Sequence, residues 1–164
     1  MKLSNIFFLL IAFVQTSAQL PASIPSASKI KWLVGSWKGV SNNIPFYEAW
    51  RGVNDSTLVN FSIEIKNRDT IVRMADHLIF RNNTFFLGKL PNQWKGLRLT
   101  DTEIVLANDS LKFSNRIIWL HTKDDHWFTI LEHPARTVYY DLTRIPELEK
   151  HVDKIFLQSK QVSK

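Results

Sequence analysis

Cysteine is absent from this chain of 164 residues. Its absence excludes disulfides, thiolate metal sites, thiol nucleophiles and a lipid-modified N-terminal cysteine. Small proteins exported by animal cells usually carry disulfides. For an exported chain, the lack of cysteine therefore favours a bacterial periplasm.

The chain also lacks an apolar run long enough to cross a bilayer. The run over residues 6–14 has 9 residues, whereas a spanning helix needs about 20. Lys2 precedes this run and the small residues Thr16-Ser17-Ala18 follow it, which is the pattern of a cleaved secretory leader. We expect a signal peptide over residues 1–18, a periplasmic or secreted protein, and no stable membrane insertion after cleavage.

Clustered charge is missing as well. The formal net charge is +6, but the basic residues are scattered over residues 29–31, 66–68, 89–98 and 150–164. Nucleic-acid-binding proteins gather their charge into a patch that carries a recognisable motif. We therefore expect no nucleic-acid partner. We interpret the excess of positive charge as a solvated basic surface.

What the chain does contain is a series of short strand-like segments from residue 37 onward. Turns rich in Asn, Asp and Ser separate them, which predicts an antiparallel meander. Closure of this meander into a barrel removes the free edges that would otherwise invite aggregation. The predicted strands cover residues 37–41, 46–51, 57–66, 70–80, 84–89, 94–99, 103–107, 112–122, 127–132 and 137–144.

The predicted strand over residues 70–80 has two half-apolar faces. Strict alternation puts Ile71, Arg73, Ala75, His77 and Ile79 on one face and Val72, Met74, Asp76, Leu78 and Phe80 on the other. A strand of this kind fits a barrel with a lined interior and a partly covered exterior.

A linker and a short helical turn are predicted before the barrel. Residues 19–28 are rich in Pro, Ser and Ala and are expected to form a flexible linker. Ser28 is predicted to cap a helical turn that ends at Leu33. The barrel domain then occupies residues 29–145.

An amphipathic α-helix is predicted over residues 146–164, after the barrel. Pro146 is a start signal, and Leu148, Val152, Ile155 and Phe156 recur at helical spacing. We expect this helix to lie on the barrel. A membrane-surface helix is the alternative, disfavoured because the polar face carries both signs of charge.

Two tryptophan motifs carry a family resemblance. Residues 32–37 read W-L-V-G-S-W, and residues 48–50 read E-A-W. Residues 106–119 align without a gap with a segment F-E-N-P-x-x-D-F-P-x-R-I-x-Y and match it at Asn108, Phe113, Arg116 and Ile117. Over residues 32–145 the chain resembles a family of exported bacterial lipocalin-like, or calycin-type, domains of unknown function.

The resemblance implies a calycin-type barrel of no established activity. With the elements predicted above, the expected fold is all-β: an antiparallel lipocalin-like β-barrel of eight to ten strands with a short N-terminal helical turn and a C-terminal α-helix. The resemblance supplies no catalytic residue, because Lys112 stands where the family segment has an acidic residue. It also implies that Gly35, Trp37 and Arg144 are structural. Trp37 plugs the closed end of the barrel, and Arg144 packs across its indole as a cation–π contact.

The five histidines (His77, His121, His126, His133 and His151) raise the question of a metal or haem. His121 and His133 could approach each other across a hairpin, with Glu132 or Asp141 as a third ligand. Exposed histidines near strand ends are the favoured interpretation, so we assign no metal and no cofactor. A haem-binding barrel with His77 or His133 as its axial ligand remains a minor alternative.

The candidate binding residues include charges placed within strands. Glu48 and Trp50 share one face of their strand, whereas Arg116 and Trp119 lie on opposite faces of theirs. A buried Glu48 and Arg116 would need each other or a polar ligand head group. A structural pair with no ligand is the alternative. The predicted ligand-binding residues are Glu48, Trp50, His77, Asn108, Arg116 and Trp119.

The sequence predicts a monomeric, non-catalytic domain that binds a small hydrophobic or amphipathic molecule in a barrel cavity. No G-x-S-x-G or comparable catalytic frame occurs, so we do not expect an enzyme. The alternative is an envelope interaction module with a solid core that binds protein or glycan. The volume of the interior cavity distinguishes the ligand-binding barrel from the interaction module, because a small-molecule site occupies roughly 300 Å³ or more.

The leader prediction is tested by the intact mass of the protein recovered from a bacterial periplasm. The mass should correspond to a chain that starts at Gln19. A double variant, Leu9→Asp with Leu10→Asp, interrupts the apolar run and should remain uncleaved in the cytoplasm. Cytoplasmic accumulation of the unaltered chain with Met1 retained would contradict the prediction.

Overall fold

The computed structural model describes residues 25–67, 69–111, 114–123 and 125–162. Four parts of the sequence predictions lie outside the described residues. They are the signal peptide over residues 1–18, residues 19–24 of the linker, residues 112–113 of the eighth strand, and residues 163–164 of the C-terminal helix.

Ten antiparallel strands form a closed barrel in which each strand pairs with its neighbours along the chain and the last strand pairs with the first. This confirms the predicted fold. The strands are β1 (Gly35–Ser41), β2 (Ile44–Asn54), β3 (Thr57–Lys66), β4 (Asp69–Arg81), β5 (Thr84–Leu87), β6 (Trp94–Leu99), β7 (Glu103–Ala107), β8 (Arg116–Lys123), β9 (His126–His133) and β10 (Arg136–Arg144).

Two of the hairpins turn on pairs of asparagines. Asn42 and Asn43 have φ values of 51° and 64°, and Asn82 and Asn83 have values of 51° and 57°. Two-residue hairpin loops favour positive φ at both positions, and asparagine tolerates this conformation better than most residues. The local sequence therefore sets the β1–β2 and β4–β5 pairings.

A 3₁₀ helix, Ala27–Leu33, plugs one end of the barrel. Ile30 and Leu33 are fully buried, and the Trp37 indole N–H donates to the Leu33 carbonyl at 2.9 Å. The predicted cap at Ser28 is wrong. Ser26 caps the helix by accepting the Ser28 backbone N–H at 3.3 Å, so the helix begins inside the predicted linker.

Four tryptophans fill the barrel interior from this plugged end inward. Trp37, Trp50, Trp119 and Trp127 are each at most 5% exposed. Their rings meet edge to face in a chain, with centroids 6.1 Å apart for Trp37–Trp127, 5.6 Å for Trp127–Trp119 and 5.3 Å for Trp119–Trp50. Such pairs contribute about 0.5–1.5 kcal/mol beyond the burial of their area. This half of the barrel is therefore a packed core.

The barrel closes where β1 meets β10. Trp37 pairs with Arg144, whose guanidinium lies 5.4 Å from the centre of the Trp37 ring and donates to the Val34 carbonyl at 3.0 Å. A Cβ at Gly35 would come within 2.7 Å of the same guanidinium, so only glycine leaves room for it. The contact expected between Trp37 and Arg144 is present.

A β-bulge in β4 corrects the strict alternation expected for residues 70–80. Asn60 of β3 pairs with Asp76 and Phe61 pairs with Met74, so Ala75 is the extra residue. The bulge moves the side chains that precede it to the other face. Met74 consequently lies on the outer face with His77, while Asp76 lies on the inner face.

The C-terminal segment packs on the outside of the barrel, as predicted. A 3₁₀ turn, Pro146–Leu148, leads into α1, Glu149–Val162. Leu148 and Val152 are buried against an outer cluster formed by Ala49, Val59, Phe61 and Ile63. Within the described ranges, no helix combines the length and apolarity that a membrane crossing requires.

The buried side chain of Arg51 joins α1 to the sheet through partly exposed ion pairs. The residue is 7% exposed, and its Nε lies 2.7 Å from Asp153 Oδ1. Its guanidinium also pairs with Glu149, and a third nitrogen donates to the Trp50 carbonyl at 2.9 Å. A guanidinium with this many acceptors is well satisfied despite its burial.

Replacing the plugging tryptophan tests this architecture. Trp37→Ala should lower the free energy of unfolding by about 3–5 kcal/mol, because a large buried ring is removed from a packed core. Arg144→Ala should cost less, about 0.5–2 kcal/mol for the cation–π contact. Both values follow from urea unfolding.

The neighbouring exposed residue offers a control. Lys38→Ala should change stability by less than about 0.5 kcal/mol, as exposed substitutions usually do. A Trp37→Ala protein with an unchanged urea midpoint would contradict the plug.

Candidate functional site

The candidate site lies in the barrel interior, beside the tryptophan chain. Glu48 of β2 is its central residue, flanked in the sheet by Trp37 of β1 and Ser62 of β3. The Trp50 indole N–H donates to Glu48 Oε1 at 3.2 Å. Protein surrounds the carboxyl, although the side chain as a whole is not fully covered.

Burial dominates the electrostatics of Glu48. Desolvation raises the pKa of its carboxyl from 4.5 to about 7, against the smaller lowering effect of the Trp50 hydrogen bond. A carboxyl in this environment changes its protonation state near neutral pH, and the ionised form favours a positive or hydrogen-bond-donating group beside it.

Two further polar side chains lie on the inner faces of neighbouring strands, Asn60 buried and Asp76 exposed to solvent. Asn60 is 8% exposed, and its amide contacts the Ala49 carbonyl at 3.5 Å. Asp76 stands opposite Asn60 in the sheet. Desolvation raises the pKa of Asp76, while the charges of His77 and Lys89 lower it.

The prediction of binding residues omitted Asn60 and Asp76. A signal for Asn60 was available, because a lone amide interrupts the apolar run over residues 58–61. For Asp76, alternation alone gives the face of the buried Leu78 and Phe80, since the bulge affects only the residues before it.

A pocket of about 130 Å³ opens at the end of the barrel opposite the plug. We call it the mouth pocket. Leu131, Val138 and Tyr140 form its apolar lining, and its polar lining consists of Ser114, His133 and Arg136. The Tyr140 ring meets the Phe46 ring edge on, with centroids 5.4 Å apart. Phe46 and Glu48 are two residues apart and share one face of β2. The Phe46–Tyr140 pair therefore lies between the mouth pocket and the Glu48 carboxyl.

The structure brings together three of the six predicted binding residues. Glu48 and Trp50 are hydrogen-bonded, and Trp119 packs on Trp50. All three lie in the barrel interior. Their inward orientation follows from the alternation of side chains along β2 and β8, in which Trp50 and Trp119 are buried.

The predicted Glu48–Arg116 pair is wrong. The Arg116 side chain is 49% exposed and lies 3.5 Å from Glu132 on the outer surface. It lines a separate external pocket of about 200 Å³. Its neighbour Ile117 takes the inward position on β8, so the strand register turns Arg116 away from Glu48.

His77 and Asn108 also lie outside the interior site. His77 lines an external groove. Asn108 joins two loops, because its Oδ1 accepts the Ser110 backbone N–H at 3.0 Å and its Nδ2 donates to the Gln93 carbonyl at 3.0 Å. This is the local hydrogen bonding that asparagine typically provides in turns.

The histidine pair considered for a metal is also separated. His121 pairs with Trp127 near the plugged end, where it stacks on Trp32 at 5.0 Å. His133 lies at the other end of β9, where its Nδ1 accepts the Ala135 backbone N–H at 3.0 Å. In the part of the chain that the structure describes, no group of three or more potential metal ligands occurs.

Comparison of the chain with known protein families, curated proteins and solved structures finds no match.

The raised pKa of Glu48 predicts a pH-dependent stability. Between pH 4.5 and about 7 the folded protein retains a proton on Glu48 that the unfolded chain has released. The resulting stabilisation is therefore complete below pH 4.5 and is lost as the pH rises through about 7. We expect a total loss of about 3 kcal/mol, measured by urea unfolding from pH 4 to 9.

Glu48→Gln should flatten this slope, because the amide cannot ionise. Glu64→Gln is the matched control, since the Glu64 side chain is 50% exposed and pairs with Arg73 on the surface. It should retain the slope of the unaltered protein. Equal slopes for Glu48→Gln and the unaltered protein would contradict the burial of the Glu48 carboxyl.

Proposed function

We propose that this protein is a monomeric, non-catalytic binding barrel that takes a small hydrophobic or amphipathic molecule at the end opposite the plug. The observation that carries the proposal is the buried carboxyl of Glu48. Among the described residues, one indole N–H is its hydrogen-bond donor. A carboxylate oxygen accepts more than one hydrogen bond, so Glu48 retains capacity for the polar end of a ligand.

The mouth pocket is smaller than the roughly 300 Å³ of a usual small-molecule site, which limits what it holds. An apolar cavity of about 150 Å³ binds benzene, and the mouth pocket measures about 130 Å³. Its occupant is therefore one small ring or a short alkyl segment. Glu48 does not line this pocket, so a ligand that pairs with Glu48 has to pass the Phe46–Tyr140 ring pair.

The chemistry of Glu48 selects the polar end of the ligand. An ionised carboxylate in an apolar interior gains most from an amine or another hydrogen-bond donor, and it repels an acid. No titratable partner of Glu48 contributes to its raised pKa among the described residues.

A solid-core interaction module is the second candidate, and the tryptophan chain favours it. With four rings packed from the plug inward, half of the barrel has no room for a ligand. In that case protein or glycan would bind outside the barrel. A haem is not favoured, because the pocket beside His133 is the size of a single ring.

We further propose export and a distant relationship to the lipocalin-like domains. The leader pattern over residues 1–18 supports export to the periplasm or beyond. The W-L-x-G-x-W opening, together with the contact of Arg144 on Trp37, supports the relationship.

Four benzene derivatives of similar size test the binding proposal: benzylamine, benzyl alcohol, toluene and benzoate. At pH 8 we expect benzylamine to bind best and benzoate worst, followed as a change in tryptophan fluorescence. Glu48→Gln should weaken benzylamine binding at least tenfold, because a hydrogen bond to a charged group contributes about 1.5–3 kcal/mol.

Arg116→Gln is the matched control, since Arg116 lies outside the barrel, and it should leave all four affinities unchanged. An absence of binding at millimolar concentration for the whole series would contradict the cavity site and favour the interaction module. An equal affinity of the unaltered protein and Glu48→Gln for benzylamine would contradict the role of Glu48.

A further inference from the structure

A second groove lies on the outside of the barrel, between β4 and the C-terminal half of α1. It encloses about 390 Å³, which falls within the range of small-molecule sites. We call it the helix groove. It lies on the opposite face of the sheet from Glu48, so it is independent of the binding proposed for the barrel mouth.

The helix groove has an apolar floor. Val59 is fully buried beneath it, and Phe156 of α1 packs edge on against Phe61 with ring centroids 6.1 Å apart. Met74 is 47% exposed along one side, and Val53 is 37% exposed at one end. An alkyl chain in the groove would cover this exposed apolar surface, which is favourable in proportion to the area buried.

A single cation stands at the rim of this floor. Lys160 Nζ lies 4.5 Å from the centre of the Phe156 ring and 3.5 Å from the Val53 carbonyl. No carboxylate among the described residues pairs with it. His77 adds a ring nitrogen to the lining, while its neighbour Asp76 faces the barrel interior.

We propose that the helix groove binds a monomeric single-chain alkyl carboxylic acid. The chain lies on Val59, Met74 and Phe156, and the carboxylate pairs with Lys160. Charge complementarity selects an acid over an amine, the reverse of the preference proposed at Glu48. A volume near the lower end of the usual range accommodates one chain rather than the two chains of a phospholipid.

The experiment is an NMR titration of the ¹⁵N-labelled protein with octanoate, decanoate, decanol and decylamine, each below its aggregation concentration. Decanoate should shift the amides of Met74, His77 and Phe156 and leave those of Leu131 and Tyr140 in the mouth pocket unchanged. Two additional methylenes should tighten binding by up to about tenfold between octanoate and decanoate.

Two lysine variants distinguish the contribution of the Lys160–carboxylate ion pair from that of the positive charge of the helix as a whole. Lys160→Gln should weaken decanoate binding by up to about fivefold at low salt, the upper limit for an exposed ion pair, without affecting decanol. Lys154→Gln removes the same charge from the same helix. Lys154 is exposed and lies nearly opposite the buried Val152 around the helix axis, so this variant should leave decanoate binding unchanged.

Met74→Asp tests the floor, and because Met74 is half exposed the variant should fold. It should abolish decanoate binding. Each of three results would overturn the proposal: decylamine binding as well as decanoate, equal losses in the two lysine variants, or decanoate shifts confined to the mouth pocket. Binding to phosphatidylglycerol vesicles without binding to monomeric decanoate would also overturn it in favour of a membrane surface.

Discussion

Arg144 at the seam between β1 and β10 connects the parts of this structure. Its guanidinium covers the Trp37 ring at 5.4 Å and donates to Val34 at the end of the 3₁₀ plug. It also lies 3.9 Å from Glu149, which accepts the Ser36 backbone N–H at 3.0 Å and pairs with Arg51. Barrel closure, the plug and the C-terminal helix therefore meet in one network of charges.

The barrel interior combines packed indole rings with buried polar groups. Around the plug, the side chains of Trp32, Ser36, His121 and Trp127 each bury a nitrogen or oxygen that has no hydrogen-bond partner among the described residues. Glu48 and Asn60 add polar groups beside Trp37 and Trp50, and the cost of burying a carboxyl is visible in the raised pKa of Glu48. Strongly perturbed pKa values of this kind occur in structural networks as well as at functional sites.

The C-terminal helix has two different relationships with the sheet. Its first half is held by the buried Arg51 with Glu149 and Asp153 and by the packing of Val152. Its second half contacts the sheet through Phe156 and Lys160 and forms one wall of the helix groove. The anchored first half holds this wall in place without a change in the barrel.

The barrel and its helices were predictable because their signals are local. Alternating side chains mark the strands, and paired asparagines mark two of the hairpins. The recurrence of Leu148, Val152 and Ile155 marks the helix that packs outside. The tryptophan motif likewise predicted the contact of Arg144 on Trp37, since both residues lie at the ends of strands that must meet when the barrel closes.

The candidate site was only partly predictable, because it depends on which face of each strand points inward. That choice is made by register over the whole barrel. On β8 the register turns Arg116 outward, and on β4 the bulge at Ala75 puts Met74 and His77 on the same outer face. By itself the sequence determined the order of strands, the turns, the outer helix and the shared face of Glu48 and Trp50, because these follow from short-range alternation and turn chemistry. Only the tertiary structure decided which charges are buried and that the interior carboxyl lacks an arginine partner, because those depend on contacts between strands distant in sequence.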